Sequence, residues 1–152
     1  MKYKRDPEGG DSVMEESALL YGVADGEPVR DICERTLAFA VSSLRFHRAQ
    51  FDGRDEASRV VFRQFLRAST SIGANVEEAR SGESRADFIH KYAIAQKEAR
   101  EALYWLRLIR MSDLASDERV AQLETECSEL LAILTAILVK SKARMQSPKA
   151  QS

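Results

Sequence analysis

Three prolines and seven glycines are all the strong punctuation in this 152-residue chain, too little for the many tight turns of a strand-rich protein. Its two cysteines, Cys33 and Cys127, stand far apart with no second cysteine at metal-binding spacing. That excludes a disulfide framework and a zinc signature and leaves reduced core thiols. No segment is apolar over the roughly 20 residues a membrane helix requires. The N-terminal residues carry mixed charge and only the short apolar patch Ala18-Leu19-Leu20-Tyr21, without the core of a signal peptide. The expectation is a cytoplasmic protein with no membrane association. An excess of positive charge is missing too. The net charge is −1, and the first thirty residues hold four basic against seven acidic side chains, so −3 falls in this segment and +2 in the remainder. Binding driven by phosphate neutralisation needs a clearer basic excess, although local patches remain open.

The length suits one domain with a real core. Residues 1–29 hold Pro7, Gly9-Gly10, Gly22, Gly26 and Pro28 without sustained apolar periodicity. They read as a flexible arm, within which Val13 to Tyr21 has the pattern of a short amphipathic helical segment. Residues 30–145 carry four helical stretches, and 146–152 read as a disordered tail. The first stretch starts at an N-cap, Asp31, and repeats Ile32, Thr36, Phe39, Ser43 and Phe46 at steps of three and four, beside Leu37, Val41 and Leu44. The second runs from about Asp55 to Ser81 on Val61, Phe65, Ala68 and Ile72. The third opens at Ser84, with Asp87 placed as in a capping box, and runs to about Met111 on Phe88, Tyr92, Ala95, Ala99, Leu103 and Leu106. The fourth, about Ser116 to Arg144, carries a seam of Val120, Leu123, Cys127, Leu130, Leu134 and Ile137. Leu131, Ile133, Leu138 and Val139 lie outside that seam, a surplus that points to burial against another subunit. Short connections imply the fold class all-α, an antiparallel up-down-up-down four-helix bundle.

The densest unusual stretch is Ser69 to Ala79, small and polar residues inside a helical pattern. Gly73 costs a helix interior up to about 1 kcal/mol relative to alanine, and close approach of another helix is the simplest compensation. Ser71, Asn75 and Glu78 share one face of the second helix, while Lys91, Glu98 and Trp105 share one face of the third. An antiparallel pairing brings Asn75 level with Lys91, which suggests a polar layer where Asn75 and Glu78 meet Lys91 or Lys97. Fixing the register or an oligomer interface is the plainer role for such residues; a ligand site is the sharper one. Arg59, Arg63 and Arg67 form an i, i+4 ladder that either grips phosphates or pairs with nearby carboxylates. Tyr104 and Trp105 point about 100° apart, so burying both needs contact on two sides.

Catalytic and metal-binding constellations are incomplete. Asp87-Phe88-Ile89-His90 imitates half of a di-iron carboxylate site, but the other histidine, His47, has Leu44 three residues before it. There is no nucleophile elbow, P-loop or dinucleotide fingerprint. The chain is expected to be no enzyme, with no catalytic residue, metal or cofactor.

The succession Thr70-Ser71-Ile72-Gly73-Ala74-Asn75-Val76-Glu77-Glu78-Ala79, Ser84-Arg85-Ala86-Asp87-Phe88-Ile89-His90-Lys91, Ile94-Ala95-Gln96-Lys97-Glu98-Ala99-Arg100-Glu101 and Tyr104-Trp105-Leu106 resembles the signature of the bacterial 23S rRNA intervening-sequence proteins. The resemblance covers roughly residues 31 to 140. It implies a left-handed four-helix bundle that associates into a homopentamer with no established enzymatic activity, with Asn75, Glu78, Lys91, Lys97, Glu98 and Trp105 as motif residues; the expected role is an interaction scaffold for RNA or a protein partner. A similar bundle serves diversity-generating retroelements as a nucleic-acid-binding accessory variability protein; the near-neutral charge and acidic arm here depart from that pattern.

Overall fold

The computed structural model describes residues 31–50 and 55–146. The arm, residues 51–54 and residues 147–152 lie outside them. The described chain is all-α, with α1 Ile32–Ala49, α2 Glu56–Arg80, α3 Arg85–Met111 and α4 Asp117–Gln146. Gln146, assigned to the tail from sequence, is helical and is the last of the described residues.

Three of the four starts carry a side-chain cap. Asp31 Oδ1 accepts from Cys33 N–H at 3.1 Å, Asp55 Oδ1 from Ser58 N–H at 3.0 Å, and Ser84 Oγ from Asp87 N–H at 3.1 Å. Each bond satisfies an amide that has no partner within its helix. α3 stops where Asp113 turns left-handed, φ 53°. Leu114 N–H then reaches Ile109 O at 3.0 Å and Asp113 N–H reaches Arg110 O at 3.1 Å. This paired closure usually falls to glycine, but a short polar side chain tolerates it.

The apolar stripes meet in one core. Ile32, Thr36, Phe39, Ser43 and Phe46 of α1 are buried, as are the six periodic positions of α3 and the seam of α4 from Val120 to Ile137. Contacts climb one helix as they descend the next. Thr36 lies against Gly73, and Phe46 against Phe62 and Phe65. Arg67 meets Glu101 while Glu78 meets Lys91. Arg110 meets Glu124, and Gln96 donates to Thr135 at 2.8 Å. α1 also touches α4, where one guanidinium nitrogen of Arg35 reaches Glu126 at 3.1 Å and Glu129 at 2.7 Å.

Cys127 is fully buried, with its thiol 3.4 Å from Ala99 O. Burial pushes both thiols up to about 12, with the negative charge of Asp31 adding to the effect at Cys33 and that of Glu126 at Cys127. Both are free thiols.

The apolar surplus of α4 does not face outward as expected. Leu138 is buried in the chain's own core, and Leu131 and Ile133 pack against it; Val139 is the one of the four left 65% exposed. The physical reason is that α4 has neighbours on two flanks, α3 and α1, so a wider stripe is absorbed within the subunit. The exposed apolar row lies instead on α1: Leu37, Val41 and Leu44 are 64%, 39% and 45% exposed at i, i+4 and i+7.

Candidate functional site

Four of the six motif residues, Glu78, Lys91, Glu98 and Trp105, gather along the α2–α3 seam in two clusters. At one end Lys91 Nζ donates to Glu78 Oε2, and this contact raises the lysine above its ordinary value. Glu78 is exposed, so the pair sits on the surface rather than in a buried layer. Asn75 does not join it. Its Nδ2 donates to Ser71 O at 2.9 Å, and Ser71 Oγ donates to Arg67 O at 2.8 Å. Short polar side chains in a helix find the carbonyls of the preceding, amino-ward turn closer than the neighbouring helix, and those carbonyls win. Lys97 is exposed, and no ion pair to it is found among the described residues.

The second cluster lies eleven residues away on α2, about 16 Å at 1.5 Å per residue. Arg67 pairs with Glu101, and its other terminal nitrogen approaches Glu98 Oε1 at 3.9 Å. Trp105 Nε1 donates to Glu101 Oε1 at 3.1 Å, while its ring is half-buried against the core. The Trp105 hydrogen bond holds the Glu101 carboxyl below its usual range, and Arg67 reinforces it against the opposing effect of burial. The structure therefore joins Arg67 of the ladder directly to Glu98, and through Glu101 to Trp105 of the polar face. Sequence reasoning missed Glu101, although its spacing of three from Glu98 and four from Trp105 put it on their face. Tyr104 packs edge-on against Trp105 at 5.0 Å and remains exposed.

Glu98 Oε2 is buried with no hydrogen-bond partner. Burial raises its carboxyl above the ordinary range, with Arg67 opposing the rise and Glu101 adding to it. The folded state thus holds the proton more tightly than the unfolded chain, and stability falls as pH rises from the ordinary carboxylate range through the raised value. Glu98→Gln removes that fall. The variant is expected to match the parent near pH 4 and to be the more stable of the two at pH 7. Thermal melts at the two pH values check this; a less stable variant at pH 7 would show that Arg67 makes the charged form the favoured one.

Of the ladder, Arg63 pairs with Glu56 at 2.9 Å and Arg67 with the α3 carboxylates, both at exposed positions. Arg59 is also exposed. Arg63, Arg67, Val60 and Thr70 border a shallow groove of about 590 Å³ that His47 closes from α1. His47 is held below its ordinary value by burial and by the Arg63 charge. Among the described residues no group of three or more histidine, cysteine, aspartate or glutamate side chains is placed to hold a metal ion. No described helix is long and apolar enough to cross a membrane.

Comparison with known proteins follows the same residues. A crystal structure from Bacteroides thetaiotaomicron, a protein of unknown function from the S23 ribosomal protein family, superposes with a TM-score of 0.67 at 35% identity, over 71% of this chain and 98% of that one. Among the curated proteins there is no match. Residues 31–136, which include all four helix starts and both seam clusters, match the family described as 23S rRNA-intervening sequence protein, and the chain belongs to that family.

Proposed function

We propose that the chain is a non-catalytic subunit of a cytoplasmic homo-oligomer, a homopentamer, whose left-handed up-down-up-down bundle serves as a scaffold for a protein or RNA partner. One observation carries this reading: Leu37, Val41 and Leu44 form an exposed apolar row on α1 that faces neither α2 nor α4. A row of this kind is stabilised by covering it, and identical copies provide the cover most economically. Two buried, unlinked thiols suit a reducing compartment.

Light scattering on the full chain is expected to give five times the 17.1 kDa chain mass. Leu37→Glu with Leu44→Glu is expected to bring the mass down toward one chain while leaving helical circular dichroism unchanged. A wild-type protein that runs as a lone subunit at micromolar concentration ends the proposal.

A second reading rests on the ladder. Arg59, Arg63 and Arg67 are exposed on successive turns of α2, and exposed ion pairs such as Arg63 with Glu56 contribute little, so a phosphate can displace the carboxylate. In this reading the protein is an RNA-binding accessory factor. Binding to structured RNA should then weaken steeply with salt and be lost in the Arg63→Glu, Arg67→Glu double variant. An absence of binding at 50 mM salt removes it.

A further inference from the structure

The seam between α1 and α4 is not filled along its length. Beyond the Arg35 contacts with Glu126 and Glu129, the two helices leave a cleft of about 530 Å³. Phe39, Phe46 and Leu123 lie beneath it, buried in the core, Ser42 and Gln122 stand in its walls, and Arg45 and Arg119 stand on opposite sides of it. These two arginines differ from the others near helix contacts. Arg35, Arg63, Arg67, Arg80 and Arg110 each have a carboxylate within 4 Å. Arg45 and Arg119 have none among the described residues, and the Glu126 carboxylate that borders the cleft is taken by Arg35. The cleft therefore presents two like charges, one from each helix, over the buried core.

We propose that this cleft receives residues 13–21 of the chain's own N-terminal segment, with Glu15 and Glu16 set against Arg45 and Arg119. Three features select that occupant. The segment that precedes α1 is the acidic part of the sequence, with net charge −3 over thirty residues. At helical spacing, Val13, Met14, Ala18, Leu20 and Tyr21 fall on one side while Glu15 and Glu16 flank it, so one stretch offers both apolar and acidic groups. The tether is also long enough. Arg45 lies fourteen residues into the chain from Asp31, about 21 Å along a helix, whereas residues 17–30 span up to about 46 Å when extended. Gly22, Gly26 and Pro28 in that tether favour the reversal of direction it needs.

The cleft is separate from the row proposed to join subunits. Ala38, Ser42 and Arg45 each directly follow a member of that row, so the two faces are about 100° apart around α1. A seated segment and a neighbouring subunit do not compete.

The test uses the full-length protein carrying Ser17→Cys and Ser42→Cys. The native thiols remain protonated at pH 8 because both are pushed up to about 12, so the added pair is the one that oxidises. Mild oxidation is expected to link the pair within one chain at least fivefold more than a control pair, Ser17→Cys with Ser128→Cys on the exposed side of α4. Arg45→Glu with Arg119→Glu should abolish that excess, and adding Glu15→Arg with Glu16→Arg should restore it. A yield equal to the control overturns the proposal, as does linkage found between chains alone. Protection of a lone Ser42→Cys thiol that increases with inorganic phosphate and ignores the Glu15→Arg, Glu16→Arg change assigns the cleft to a small anion and also overturns it. The subunit mass from light scattering is read separately, so loss of assembly with an intact intrachain link would fault the oligomer and not this docking.

Discussion

Phe46→Ala is expected to lower the unfolding free energy by about 3–5 kcal/mol, a large part of what a domain of this size possesses. The ring is fully buried at the end of α1. It meets Phe62 at a centroid distance of 5.7 Å and Phe65 edge-on at 5.9 Å. Removing it discards the transfer energy of the ring and its edge-to-face contacts, and leaves a hole bounded by two stiff aromatic neighbours that cannot collapse fully. Urea unfolding at fixed protein concentration measures the loss. Leu37→Ala, on the exposed row, is the comparison and should shift stability of a dilute subunit by less than about 0.5 kcal/mol. A Phe46→Ala cost below about 1 kcal/mol would mean that the α1–α2 end is held by something other than its three rings.

The second large effect is expected at Gly73, and it depends on the size of the replacement. A methyl group there would sit 3.4 Å from both the carbonyl oxygen and the hydroxyl of Thr36 on α1, at the tight edge of ordinary van der Waals contact. Gly73→Ala should therefore fall within about 1 kcal/mol of the parent, since the gain in helix propensity offsets a tight fit. Gly73→Leu extends carbon atoms past that contact into the α1 backbone and should cost about 1–3 kcal/mol or more by forcing the helices apart. The same urea titration separates the two; equal stability of alanine and leucine variants would show that α1 shifts freely over this site.

Gly73 also illustrates how much was legible beforehand. A glycine inside a helical pattern demands a nearby backbone, and Thr36 supplies it. The four helices were legible for similar reasons, because the three-four periodicity and the Asp31 and Ser84 caps are local signals, whereas the Asp55 cap came only from the structure. Periodicity measures the angular width of an apolar stripe but not which neighbour covers it. Hence Leu138 was expected outside the chain's own core and lies within it, while Leu37, Val41 and Leu44 are exposed. The candidate site was legible in part. The pairing of Glu78 with Lys91 follows from register alone. The turn of Asn75 onto Ser71 O is a competition between two acceptors a few ångströms apart, which residue spacing does not resolve. Glu101 lay in the motif, but its joint hold on Arg67 and Trp105 needs the rotamers of both partners.

The Arg35 link has a consequence for the order of events during synthesis. Its two carboxylates lie 91 and 94 residues downstream, so on the ribosome α1 to α3 emerge well before α4 can close over Phe39 and Phe46. A nascent chain halted before Glu126 would carry an open three-helix slab with an aromatic gutter, the stage at which a chaperone or a neighbouring nascent chain has its best opportunity to bind.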